Sequence, residues 1–109
     1  MGSSSYELSD LLNLIVQERA EELLVTPGGP PVVILRGQTH PIEGPSVTVE
    51  GAEALLKAAA TEEQMRELNL CGDVKFLFEF EGRAKLSFRA TLSHGQIQFQ
   101  VRNFDLASS

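Results

Sequence analysis

The chain has 109 residues, with 15 acidic against 9 basic side chains and a formal net charge of -6. That length supports one domain built on one core. The acidic balance argues against a binder of nucleic acid or anionic membranes, whose affinity comes largely from basic residues, and no apolar run approaches the roughly 20 residues of a membrane span.

Met1 to Ser5 is small and polar and reads as a disordered tail. It lacks the basic start and apolar centre of a secretory signal. One domain is expected over 6–105, with a second short tail at 106–109. Tyr6 to Ala20 reads as a helix, because Leu8, Leu11, Leu12, Ile15 and Val16 recur at helical spacing and form one apolar stripe. Ser5 and Ser9 are candidate N-caps. Glu22 to Val25 reads as a strand, stopped by the run Thr26-Pro27-Gly28-Gly29-Pro30-Pro31. Val32 to Leu35 is β-branched and reads as a buried strand. Arg36-Gly37-Gln38 is a turn, and Thr39 to Ile42 the returning strand, which Pro41 places at an edge or an end.

Thr48 to Ala60 reads as a second helix with Thr48 as N-cap, Glu50 favourable in its first turn, and Leu55, Leu56 and Ala59 buried. Thr61 to Gln64 fits a capping box opening a third helix, with Met65 and Leu68 inward and Gly72 as its stop. Asp73 to Phe104 then carries period-two alternation. Val74, Phe76, Phe78 and Phe80 fall on one side, followed by Ala84, Leu86, Phe88, Ala90 and Leu92, then Ile97, Phe99 and Val101. Successive strand side chains point to opposite faces, so this segment predicts a three-stranded meander with turns at Glu81-Gly82-Arg83 and Ser93-His94-Gly95. Its Phe-rich side requires a cover, and the first helix is the expected one. The order of elements predicts an α+β fold, an antiparallel sheet with helices packed on one face. Its exposed edge at Pro41, or its last strand, offers a route to dimerisation.

Catalytic chemistry is sparse. There is no Gly-x4-Gly-Lys-Ser/Thr, and Gly28-Gly29 precedes two prolines that lack amide donors for phosphate. His40, His94 and Cys71 are scattered rather than clustered as metal ligands, and no Gly-x-Ser-x-Gly supports a nucleophile. No cofactor is implied. Lone Cys71 makes no internal disulfide and fits a reducing cytoplasm. The suggestive set is Lys85, Arg89 and Arg102, which share the polar side of the meander. Such a group suits a carboxylate or phosphate on a partner. The alternative is cross-strand pairing with Glu79 and Glu81.

The order of elements and several short runs resemble the N-terminal, PAS-like domain of type IV pilus retraction (PilT-like) and secretion ATPases. The resemblance runs from about Leu8 to Phe104. It rests on Leu11-Leu12, Ala20 to Val25 in place of Ala-Ser-Asp-Leu-His-Leu, Gly29-Pro30-Pro31, Gly37, Thr48-Val49-Glu50, Thr61 to Gln64, Gly72 to Phe76, Gly82 to Leu86 and Val101-Arg102. The chain departs from that pattern where Leu24 replaces the histidine and Ile34 an arginine. The two meander arginines fall on Lys85 and Ser87, and Arg102 alone is retained. The resemblance implies a PAS-like sheet and a stand-alone domain without its motor, since the phosphate loop and the acidic and histidine boxes are missing. It further implies a non-enzymatic module that binds protein, with a pilus or secretion motor ATPase as partner. The rival expectations are a sensor of a small molecule or nucleotide, and completion of a motor's nucleotide site in trans by Lys85 or Arg102.

Overall fold

The computed structural model describes residues 6–80, 82 and 84–103. The expected tails at 1–5 and 106–109, turn residues Glu81 and Arg83, and Phe104 and Asp105 lie outside that set. The elements follow in the order α1 (Leu8–Glu18), β1 (Glu22–Val25), β2 (Val32–Leu35), β3 (Gln38–Pro41), α2 (Val49–Lys57), α3 (Glu62–Cys71), β4 (Asp73–Phe80), β5 (Ala84–Ser93) and β6 (Gln96–Asn103). The strands form one sheet in the order β3-β2-β1-β6-β5-β4, and every neighbouring pair is antiparallel. Two meanders are thus joined through β1 and β6, and α2 and α3 carry the chain from one edge of the sheet to the other. The α+β expectation holds, with the helices on one face.

Local chemistry accounts for the boundaries. Arg36 and Gly37 have φ of 52° and 80°, and His94 and Gly95 have 55° and 77°. Positive φ at both central residues matches the right-handed twist of the flanking strands in two-residue hairpins. Thr48 accepts a hydrogen bond from the Gly51 N–H at 2.9 Å. Thr61 and Gln64 cap one another's backbone N–H at 3.1 and 2.9 Å, completing the expected capping box.

The start of α1 departs from expectation. Glu7 is the N-cap and makes no side-chain cap, while Ser9 lies inside the helix. Its end is closed by two backbone bonds, from the Ala20 N–H to the Ile15 carbonyl and from the Arg19 N–H to the Val16 carbonyl. This is the reciprocal pattern that glycine usually serves, yet Arg19 holds the left-handed position at φ 57°. Arg19→Gly is therefore expected to raise stability by about 0.5–1 kcal/mol, read as a higher urea midpoint. An unchanged or lower midpoint would show that the arginine side chain contributes more than its backbone strain costs.

The core lies between the helices and the inner sheet face. Leu12, Ile15, Leu23, Leu56, Leu68, Leu86, Phe88 and Val101 are essentially without solvent contact. Phe88 is the hub, with the rings of Phe76 and Phe99 stacked at 5.0 and 6.0 Å and Phe78 edge-on at 5.7 Å. Two expectations are corrected. The first helix does not seal this face: α1 lies against β1, α2 crosses β6, and α3 covers β4 and β5. What decides this is placement: α1 is seated on β1, at the side of the three-stranded meander, and leaves β6 to α2 and β4 and β5 to α3. Phe76 and Phe78 are left half-buried. Nor is the last strand an edge: β6 sits between β1 and β5, and the edges are β3 and β4. The Pro41 position on an edge strand is as expected.

Candidate functional site

Among the described residues, no helix lies on the outer sheet face. Strand register sets its side chains in rows. One row reads Lys75, Arg89, Gln100, Leu24, Val32 and Pro41 from β4 to β3, and the next reads Leu77, Ser87, Arg102, Glu22, Ile34 and Thr39. Lys85 faces Glu79 at the end of the β4–β5 ladder. Lys85, Ser87 and Arg89 alternate along β5, with Arg102 opposite the central serine. Directly opposed residues on one face lie about 5 Å apart and diagonal ones about 7–8 Å. The structure therefore brings Lys85, Arg89 and Arg102 into one patch.

The patch has a fourth member, Lys75, which faces Arg89. Two like charges placed opposite one another repel. The alternation of β4 puts Lys75 on the polar side, but only the pairing with β5 reveals that neighbour. Of the expected acidic counterparts, Glu79 stands opposite Lys85, while Arg102 meets a different acid. Arg102 pairs through Nε with Glu22 Oε2 at 3.2 Å, rather than with Glu79, and Glu81 lies outside the described residues. Arg102 is 58% exposed and Glu22 21%. A solvated pair of this kind contributes about 0–1 kcal/mol, so it orients the guanidinium more than it stabilises the fold. Lys75, Lys85 and Arg89 make no ion pair among the described residues.

Arg89 borders a shallow depression of about 260 Å³ whose rim includes Leu24, Thr26, Thr91, Gln98 and Gln100. Hydroxyl and amide groups beside a guanidinium suit a carboxylate or phosphate oxygen. Beside the basic patch, Leu24, Val32 and Ile34 form a half-buried aliphatic strip. The charged group and the apolar strip lie side by side on an open surface, not in an enclosed pocket.

The inner side holds a different feature, an open apolar groove of about 680 Å³. Leu8, Leu12, Leu55, Phe78 and Phe80 supply its walls, and Glu7 and Glu50 lie at its mouth. It is framed by α1, α2 and the last residues of β4. Among the described residues there is no cluster of three or more His, Cys, Asp or Glu able to hold a metal. His40 is exposed on β3 opposite Val33, His94 occupies a turn, and Cys71 is exposed. Among the described residues no helix is long and apolar enough to cross a membrane.

No protein-family model matches the sequence, and no curated protein does. Solved structures do match. The pilus retraction motor PilT with bound ADP superposes with a TM-score of 0.81 at 20% identity, covering 91% of this chain and 29% of that one. The ATPase DotB of Legionella pneumophila gives 0.76 at 16% identity, covering 94% and 30%. The DotB of Yersinia pseudotuberculosis gives 0.71 at 13% identity, covering 94% and 32%. The chain spans about a third of the length of these structures or slightly less. The resemblance read from the sequence is thereby met at the level of structure: the described residues have the fold of the N-terminal domain of pilus-retraction and secretion ATPases.

Proposed function

We propose that this domain is a non-enzymatic, protein-binding regulatory module related to pilus and secretion ATPases, acting in the cytoplasm through its outer sheet face. The observation that carries this reading is the open patch of Lys85, Arg89 and Arg102, joined by Lys75, beside the aliphatic strip of Leu24, Val32 and Ile34. The partner's matching surface is acidic with an apolar flank, and a pilus or secretion motor ATPase is the candidate that the shared fold suggests. Opposed charge speeds encounter and sets register, while the aliphatic strip supplies buried area. Co-elution with purified pilus and secretion motor ATPases tests the reading. Complex formation is expected, weakened about tenfold or more in the double variant Lys85→Glu with Arg89→Glu. No association with any of the motors, or association indifferent to the double variant, counts against it.

The groove beside Phe78 and Phe80 favours a second reading, a sensor of an apolar small molecule. An apolar fluorophore such as Nile red should then bind, and Ala54→Trp, at an exposed position on the wall, should abolish binding. Completion of a motor's nucleotide site in trans by Lys85 or Arg102 predicts faster turnover of a purified motor when this chain is added. Unchanged turnover removes it.

A further inference from the structure

The edge strand β4 carries a further feature in its backbone and residue order. Its central run, Lys75-Phe76-Leu77-Phe78-Glu79, reads the same in both directions except that its terminal charges are opposite. The geometry points to a symmetric homodimer in which β4 pairs antiparallel with β4 of a second copy, centred on Leu77.

The backbone is set for this. The Leu92 N–H donates to the Gly72 carbonyl at 2.9 Å, so Gly72 and, by alternation, Val74, Phe76 and Phe78 direct their backbone groups toward β5. Asp73, Lys75, Leu77 and Glu79 therefore turn their N–H and C=O groups to the open edge. Around a twofold axis at Leu77, each Leu77 exchanges its N–H and C=O with the other. Each Lys75 does the same with the partner's Glu79. These are the hydrogen-bonded positions of an antiparallel ladder, and no residue needs to shift.

The side chains agree with the backbone. On the outer face, Lys75 stands beside the partner's Glu79, twice, with the two Leu77 residues between them. Leu77 is 63% exposed in the single chain, and the pairing sets it beside the partner's Leu77. Lys75 faces Arg89 on its own β5, so an acid on its other side offsets a repulsion already present. On the inner face, half-buried Phe76 meets the partner's Phe78 at a non-hydrogen-bonded position, where opposed side chains approach most closely. Charge favours this register over its two neighbours: centring on Lys75 or on Glu79 would set like charges face to face at the axis, whereas centring on Leu77 sets leucine on leucine and Lys75 beside the partner's Glu79. Charges on an edge normally deter pairing; here Lys75 and Glu79 disfavour the registers centred on themselves and suit the one centred between them. The product is one continuous sheet with both basic patches on the same side.

Sedimentation velocity across a concentration series of the 109-residue chain tests the dimer. A monomer–dimer equilibrium is expected. Lys75→Glu and Glu79→Lys, both at exposed positions, should each weaken it roughly tenfold, because two attractive pairs become repulsive. The combined variant Lys75→Glu with Glu79→Lys should restore it, since the opposed charges are merely exchanged. As an independent reading, Leu77→Cys in a Cys71→Ser background should form a covalent dimer on oxidation, the central Cα atoms lying about 5.5 Å apart. A chain that stays monomeric, a dimer indifferent to the single variants, a combined variant that stays dissociated, or no covalent dimer overturns the proposal.

Discussion

Phe88→Ala is expected to cost about 3–5 kcal/mol, a large fraction of the stability of a domain this size. Phe88 has no solvent contact and touches three further rings, Phe76, Phe78 and Phe99. Truncation removes the transfer free energy of the ring and leaves a void bounded by stiff strands on one side. It also removes the aromatic pairs, each worth about 0.5–1.5 kcal/mol beyond the area they bury. A domain of this size is stable by roughly 5–15 kcal/mol, so the variant should fold marginally. Urea unfolding should show a much lower midpoint with the slope kept. A loss below about 1 kcal/mol would mean that Phe76 and Phe99 collapse into the space and that Phe88 is not the hub.

Leu68→Ala should cost about 2–5 kcal/mol, with the damage localised. Leu68 is the one buried side chain of α3, and its neighbour two residues on, Leu70, is 79% exposed. Met65 is only half-buried. The helix is thus held to β4 and β5 largely through one anchor and by its capping box, which stabilises the helix but does not dock it. Isolated helices of this length are marginal in water. Amide exchange should therefore accelerate over 62–71 well before it does in β5 and β6, as expected when a weakly anchored element opens on its own. Equal acceleration throughout the chain would show that α3 unfolds only with the whole domain. The result bears on the edge as well, because α3 lies beside β4, whose open side is the proposed dimer contact.

Features written in local periodicity are legible in the sequence. The Thr61–Gln64 capping box, the Thr48 cap, the Gly37 and Gly95 hairpins and the alternating Phe face of β4 and β5 each depend on residues within one or two turns of chain. Two local readings fail where two signals compete. Serine at position 9 suits a cap, but the apolar stripe beginning at Leu8 starts the helix earlier and leaves Glu7 in the capping position. The first helix has the right stripe to cover phenylalanine, but it packs chiefly on β1 and shares the rest of the face with α2 and α3.

The site divides in the same way. Alternation along β5 and β6 is enough to put Lys85, Arg89 and Arg102 on one face. It does not show that Lys75 stands opposite Arg89, because that follows from register rather than period. Nor does it show that Glu22 pairs with Arg102, since β1 meets β6 only after the chain has passed through β2, β3, α2 and α3.

By itself, then, the sequence determined which segments are helix and strand, which side of each is apolar, and that one sheet face stays polar. These follow from side-chain geometry over a few residues. Only the tertiary structure decided that β6 is central and β4 an edge, that Phe78 and Phe80 line a groove, and that Arg102 answers Glu22. Contacts between remote segments depend on how the whole apolar surface is shared among the helices, and no local pattern records that division.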